Sequence, residues 1–296
     1  FASDGINFTQ KFHPDAITKE QLRKRPMWKS KINTDFFKYF PAQSYVNIGF
    51  GVHPTNAHYI FDNQSLITEL LEQHHVDTEK LEQSFQGEAL FSIYDFEIGK
   101  AFNPNDFFGK KEEFIQQVVY PQFVLAGKMK DDAFFNDFIK THQEDIKFEG
   151  KYFTLPISTN LKIYLAYKNH LMYITNNQVT MSRFLNDDVG ENNFVKSSYA
   201  PNAANPMFGY INLDLDQYPE QVQQYIYRQI PFGKTKEVQT ILGNFDYIDY
   251  RVSNEYTQTG KIHLKENNKN SLEVIFLLVD QAYSLFFNQI PQQDGN

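Results

Sequence analysis

Four carboxylates occupy places where acid–base chemistry is conceivable. Asp214-x-Asp216 closes the β-prone run that begins at Phe208, and Asp246 and Asp249 lie within Phe245 to Val252. Two carboxyl groups serve as acid and base when their surroundings separate their pKa values and they face each other across a cleft. Spacing along a strand is silent about facing. A hydrolase acting on glycans or peptides through Asp214, Asp216, Asp246 or Asp249 is therefore the rival reading, and no residue is assigned as catalytic.

The other reactive side chains argue less. His53 and His58 share one stretch, and His74 and His75 are consecutive. Neither spacing is that of a metal-ligand set, because adjacent side chains point in different directions. The oxygens of Asn186-Asp187-Asp188 and Glu191-Asn192-Asn193 miss the fixed spacing of an EF-hand loop and read as an acidic linker. Gly49-Phe50-Gly51 lacks the third glycine of a dinucleotide fingerprint and no helix follows it, so it reads as small residues in a crowded strand. No Gly-x-Ser-x-Gly elbow occurs. The chain has no cysteine, which excludes disulfides, thiolate zinc sites and thiol nucleophiles. The expectation is no metal, no cofactor, and ligand-binding residues that the sequence does not identify.

Charge narrows the partners. The net charge is −8 and the pI about 5.5, the reverse of a nucleic-acid footprint. The basic cluster Arg23-Lys24-Arg25, with Lys29 and Lys31, reads as a solvated helix end before Pro26. The most apolar run, Val274 to Val279, is far shorter than the ~20 residues of a bilayer-crossing helix. The apolar volume is aromatic: 29 Phe and 18 Tyr accompany the single tryptophan, Trp28. Phe1-Ala2-Ser3-Asp4-Gly5 begins in mid-chain, as a processed, truncated or proteolysed protein would, with targeting information expected upstream.

The elements that must position these groups are clearest between Tyr45 and Glu97. Tyr45 to Val52 is β-prone, and Leu66 to Leu71 and Leu81 to Phe85 are amphipathic. Asp77 is placed to cap a helix, with Val76 and Leu81 as its hydrophobic staple. Ala89 to Phe96 alternates with the period of a strand. The order returns at Phe208 to Glu255, where Gly243 stands as Gly87 does. Both glycines are expected at positive φ just past a helix, with alanine there costing on the order of 1 kcal/mol.

Between the two copies, Gln122 to Met129 reads as a strand. Phe134, Phe135, Phe138 and Ile139 share a helix face behind Asp131 and Asp132. Two alternating runs about Lys168-Asn169-His170 read as a hairpin, followed by a helix at Gln178 to Leu185. Asp187 to Asn205 reads as a linker. Pro219 opens a helix whose face is Val222, Tyr225, Ile226 and Ile230. The terminal helix, Ser271 to Phe287, is apolar nearly all round, so Ile275, Phe276, Leu278 and Val279 are expected to be buried.

These elements make an α+β fold: antiparallel-rich sheets with helices mainly on one side, in two related repeat lobes. Residues 1–44 read as the remnant of a preceding unit, 45–190 as the first lobe with an inserted hairpin, and 206–290 as the second.

Three stretches carry a resemblance. Tyr39-Phe40-Pro41-Ala42-Gln43-Ser44-Tyr45-Val46-Asn47-Ile48-Gly49-Phe50 leads to Leu81-Glu82-Gln83-Ser84-Phe85-Gln86-Gly87-Glu88-Ala89-Leu90. With Pro121 to Leu125 and Asn270-Ser271-Leu272, this resembles an uncharacterised family of Bacteroidetes-type envelope lipoproteins over most of residues 36–287. The resemblance implies a setting in the periplasm or at the outer membrane, with any lipid anchor upstream of Phe1, and supplies no catalytic residue. It favours a non-catalytic envelope protein that binds a ligand or an envelope partner, with a structural lobe of a larger assembly as a further alternative.

Overall fold

The structure is a computed structural model, and it describes residues 5–24, 26–56, 76–102, 115–158, 161–228, 235–265 and 276. In chain order its elements begin with β1 (Gly5–Lys11), α1 (Ala16–Lys24), β2 (Val46–Gly51), α2 (Thr78–Ser84), β3 (Phe85–Phe102) and β4 (Ile115–Met129). Then come α3 (Ala133–Thr141), β5 (Lys147–Phe148), β6 (Phe153–Pro156), β7 (Lys162–Lys168), β8 (Leu171–Thr175) and α4 (Gln178–Leu185). The last are β9 (Met207–Asn212), α5 (Glu220–Arg228), α6 (Thr235–Leu242), β10 (Phe245–Asn254) and β11 (Thr257–Leu264). The chain is α+β and divides into two compact units: Gln10–Tyr210 with Arg251–Gln258, and Phe1–Thr9 with Ile211–Tyr250 and Thr259–Asn296.

In the larger unit the strands run in the order β2-β3-β4-β8-β7-β6-β5, and every pairing between neighbours is antiparallel. In the smaller unit β1, β11 and β10 are neighbours in that order.

Local chemistry sets most element ends. Asp77 caps α2 by accepting the Lys80 N–H, and Asn177 caps α4 by accepting the Thr180 N–H. Asp131, not Asp132, supports the start of α3, accepting from the Ala133 N–H. The β7–β8 turn places Asn169 (φ 53°) and His170 (φ 62°) in the left-handed region, the conformation that a two-residue hairpin of the right twist demands.

Apolar residues occupy both faces of the larger sheet, so both must be covered. Leu90, Val124, Ala126, Ala166 and Tyr173 lie under Phe36 and Phe37 of the 3₁₀ turn Thr34–Tyr39 and Phe40 at its C-cap, with Met181 and Phe184 of α4 and Phe194. On the opposite face, Ala89, Phe85 and Met129 pack with Leu81 of α2 and Phe134 of α3. Helical segments therefore flank both faces, where one-sided packing was expected. The polar stretch Asp187 to Asn205 does more than connect: Phe194 is fully buried, and its N–H donates to Phe40 O.

Gly87 has the expected positive φ (87°) and follows the last residue of α2 by three positions, although it already belongs to β3, at a register shift between Phe85 and Ala89. Two expectations are corrected. Gly243 is not in the left-handed region. Its N–H donates to Gln239 O (2.8 Å), which continues the helical turn and needs no reversal. Phe276 is helical and 66% exposed, and Tyr225 is exposed too, since helical winding turns some apolar side chains outward whatever their type. The amphipathic run Leu66 to Leu71 lies outside the described residues, as does the expected terminal helix apart from Phe276. Among the described residues no helix is long and apolar enough to cross a membrane.

Candidate functional site

Cross-strand register lines up side chains on the face of the larger sheet that carries Leu90. Gly51 pairs with Glu88, Gly49 with Leu90 and Asn47 with Ser92. One end of this face is charged, because Glu88 lies one pleat before Leu90 on β3 and Lys128 one pleat after Ala126 on β4. Lys168, paired with Leu171 on β8, extends the charge along the same end.

Glu88 is the centre of this row. Its side chain is only 7% exposed and both oxygens are engaged. Oε1 is ion-paired with Lys29 Nζ (3.1 Å) and accepts from the Asn33 N–H (3.2 Å), and Oε2 is ion-paired with Lys128 Nζ (3.1 Å). The backbone delivers these partners. The segment around Trp28 runs beside the end of β2: Trp28 bridges Val52, Lys29 N–H donates to Gly51 O, and His53 N–H donates to Met27 O. Gly51 lacks the Cβ that would press on Ile32 and Lys29, so the segment lies close.

Two concavities border this clamp. The larger, about 750 Å³, is lined by Trp28, Lys29, Lys31, Ile32, His53 and Glu88, among others. The smaller, about 390 Å³, has Phe36, Tyr39 and Phe184 as its aromatic wall and Lys128 on its rim. Asp35 lines both. Lys168 Nζ holds Asp187 (2.6 Å) and Leu185 O (2.8 Å), and the Tyr39 hydroxyl donates to the same aspartate (2.7 Å). Burial first, then the Asp187 bond and charge, push the Tyr39 phenol up to about 12. The bond from Lys168, then that from Tyr39, hold the Asp187 carboxyl below its usual range.

The residues singled out by sequence go elsewhere or into packing. His53 Nδ1 bonds Thr55 Oγ1 (2.8 Å), while His58, His74 and His75 lie outside the described residues. Asp187 is taken by Lys168 and Tyr39, and Asp188 by Arg183 and the Gly190 N–H. A Cβ on Gly49 would lie 2.2 Å from the Phe208 ring, so this glycine serves close packing.

Within the smaller unit the strand-end carboxylates do gather, but onto a lysine and a histidine. Asp214 and Asp216 both pair with Lys265 (2.6 and 3.0 Å), and Asp249 pairs with His263 Nε2 (2.6 Å), whose ring stacks on Tyr247. Asp246 offers its backbone carbonyl to the N–H groups of Leu213 and Asp214. Burial opposes ionisation of Asp214, yet bonds from Lys265, Gln217 and the Asp216 N–H outweigh it and hold the carboxyl below its ordinary value. Burial likewise opposes the Lys265 charge, and Asp214 and Asp216 overcome it.

A lowered folded-state pKa means that the Asp214 contribution is complete above the unfolded value, about 3.9, and is lost as pH falls through the folded value. Lys265→Met is therefore expected to remove part of the stability measured at neutral pH and to flatten its acid dependence below about pH 4. Urea titrations of both proteins from pH 2 to 7 check this. Parallel acid profiles would refute it.

Glu88, Lys128 and Lys168 belong to no catalytic or binding motif in the sequence, and Lys29 reads there only as part of a solvated cluster. The available signal was parity: Glu88 and Lys128 fall on the buried side of two alternating strands, where a charge requires a partner.

Residues 1–272 match a family described as "Domain of unknown function (DUF4836)". No curated protein matches the chain. Among solved structures, crystal form III of TP0453 is similar at a TM-score of 0.40 and 10% identity, over 82% of this chain and 85% of that one. Crystal form I of TP0453 gives 0.39 and 12%, over 84% and 86%. The matched span covers most of the sequence, both structural units included, and the chain belongs to the DUF4836 family.

Proposed function

We propose that this protein is a non-catalytic component of the cell envelope that binds a ligand or a protein partner. The observation that carries the reading is the pair of concavities flanking the Lys29–Glu88–Lys128 clamp, about 750 and 390 Å³, within the usual size range of ligand sites. The clamp is built on strands and a bridged segment, so its polar groups are held in place before a ligand arrives. The engagement of Asp214 and Asp216 by Lys265, and of Asp249 by His263, weighs against the hydrolase. An extracytoplasmic setting, periplasmic or at the outer membrane, comes from the resemblance to envelope lipoproteins. We also read residues 45–190 and 206–290 as related lobes. The shared order of a strand, helix and two further strands supports this, although Gly87 and Gly243 are not equivalent.

The test is a panel of envelope glycans and peptides, read by melting temperature, product release and Trp28 fluorescence. Trp28 is the sole tryptophan and lines the larger concavity, so its emission reports occupancy there. A true ligand at 100 times its Kd adds about 2.7 kcal/mol and raises Tm by roughly 5 °C or more. The expected result is that rise with no turnover. Reproducible turnover abolished by Asp214→Asn or Asp249→Asn would overturn the reading.

A further inference from the structure

Resting on the ligand-binding reading, we propose that the smaller concavity takes an oxyanion: the carboxylate or phosphate group of a small ligand, held by Lys38 and Lys128 with the Asn169 amide.

The local charge runs against that of the chain. The net charge is −8, yet Lys38, Lys128 and Lys168 line this cleft with Asp35 as its one carboxylate. Behind the wall, Glu88 serves Lys128 and Asp187 serves Lys168. Glu88 is also shared with Lys29, so four ammonium groups face three carboxylates and positive charge remains.

Donor accounting locates that surplus. Lysine carries three N–H donors and no acceptor. Lys168 has spent its three on Asp187, Leu185 O and Phe184 O, and acts as a fixed charge. Lys128 Nζ is ion-paired with Glu88 (3.1 Å) and lies 5.4 Å from the Phe36 ring centroid, gives no hydrogen bond among the described residues, and its side chain, 18% exposed, lines the cleft. Lys38 is exposed, with Nζ over the Tyr39 ring at 5.1 Å and no ion pair among the described residues. Asn169 is exposed at the tip of the β7–β8 turn. A neutral ligand would leave these donors to water, whereas an oxyanion supplies several acceptor lone pairs to each.

Both rims are preorganised. Lys38 stands on the 3₁₀ turn whose Phe36 and Phe37 anchor in the core, and Asn169 stands on a turn flanked by the paired strands β7 and β8. Point-charge lysines suit phosphate and carboxylate alike, without the geometric selection of an arginine fork.

The experiment is titration calorimetry of the full chain with four probes: inorganic phosphate, glucose 6-phosphate, glucuronate and glucose. At least one anionic probe is expected to bind tenfold or more tightly than glucose, with affinity falling as salt rises. Binding by the phosphates alone or by glucuronate alone identifies which oxyanion the site takes. Lys38→Ala is expected to weaken binding at least fivefold and Lys38→Arg to restore most of it, while the melting temperature holds. Lys38 is exposed and Asn169→Ala removes only a turn-tip amide, so these variants keep the test independent of the stability lost with Lys128→Met. Binding of all anionic probes no tighter than glucose, or unmoved by Lys38→Ala, overturns the inference. The ligand-binding reading survives that result if a neutral glycan or peptide still shifts Tm or Trp28 emission, and falls with it if none does.

Discussion

Glu88→Ala is expected to destabilise the protein by about 3 kcal/mol or more, because it strands two half-buried ammonium groups against one end of the core. The argument is one of asymmetry. Burying three charges is itself costly, and the triad need not add net stability over an apolar replacement. Removing only the carboxylate keeps the desolvation cost of Lys29 and Lys128 and deletes the attraction that offset it. The Asn33 N–H also loses its acceptor. Glu88→Gln keeps the volume but not the charge, so it should recover little. Lys29→Met with Lys128→Met in the Glu88→Leu background should recover most of the loss, since no buried charge remains. Urea denaturation of the variants checks the series. A loss below 1 kcal/mol for Glu88→Ala would mean that the lysines reach water freely and that the clamp is no organising feature.

Gly87→Ala is expected to cost about 2 to 5 kcal/mol, the sum of a left-handed penalty of 1–2 and a packing clash of 1–3. A Cβ there would sit 2.1 Å from Val52 O, a backbone atom that cannot swing aside. Val52 N–H donates to Gly87 O (2.7 Å), which ties the two segments together at the same point. The same change at Gly243 meets Gln239 O at 3.0 Å in an ordinary backbone conformation and should stay within about 1 kcal/mol. Equal effects at the two positions, measured by thermal or urea unfolding, would remove the structural distinction drawn between them. The loss at Gly87 should also carry over to ligand affinity, because the bulge at this glycine sets where Glu88 turns inward.

What the sequence determined by itself is the local part. Asp77 and Asn177 cap helices through side chains that reach only three residues along the chain. The spacing of Phe134 and Phe135 placed α3, and Asn169-His170 marked a turn whose backbone sterics few residue types tolerate. The antiparallel pairing of β3 with β4 followed from two alternating runs that succeed each other in the chain with no helix between them. The caps, the helix face and the turn join groups within about one helical turn of each other, so their spacing encodes the outcome.

The tertiary structure alone decided the rest. Asn33 reaches Glu88 across 55 residues, Lys80 reaches Asp137 across 57, and Lys265 reaches Asp216 across 49. No periodicity names such partners, since any lysine of the right length serves and only packing chooses which arrives. Gly87 and Gly243 look alike in their local sequence, yet one meets a neighbouring carbonyl in a strand bulge and the other finishes a helical turn. The four strand carboxylates looked free for chemistry until the fold brought Lys265 and His263 to three of them. Burial is what makes the difference: once an ion leaves water it needs a counter-charge, and which one it receives is fixed by the chain's path through space.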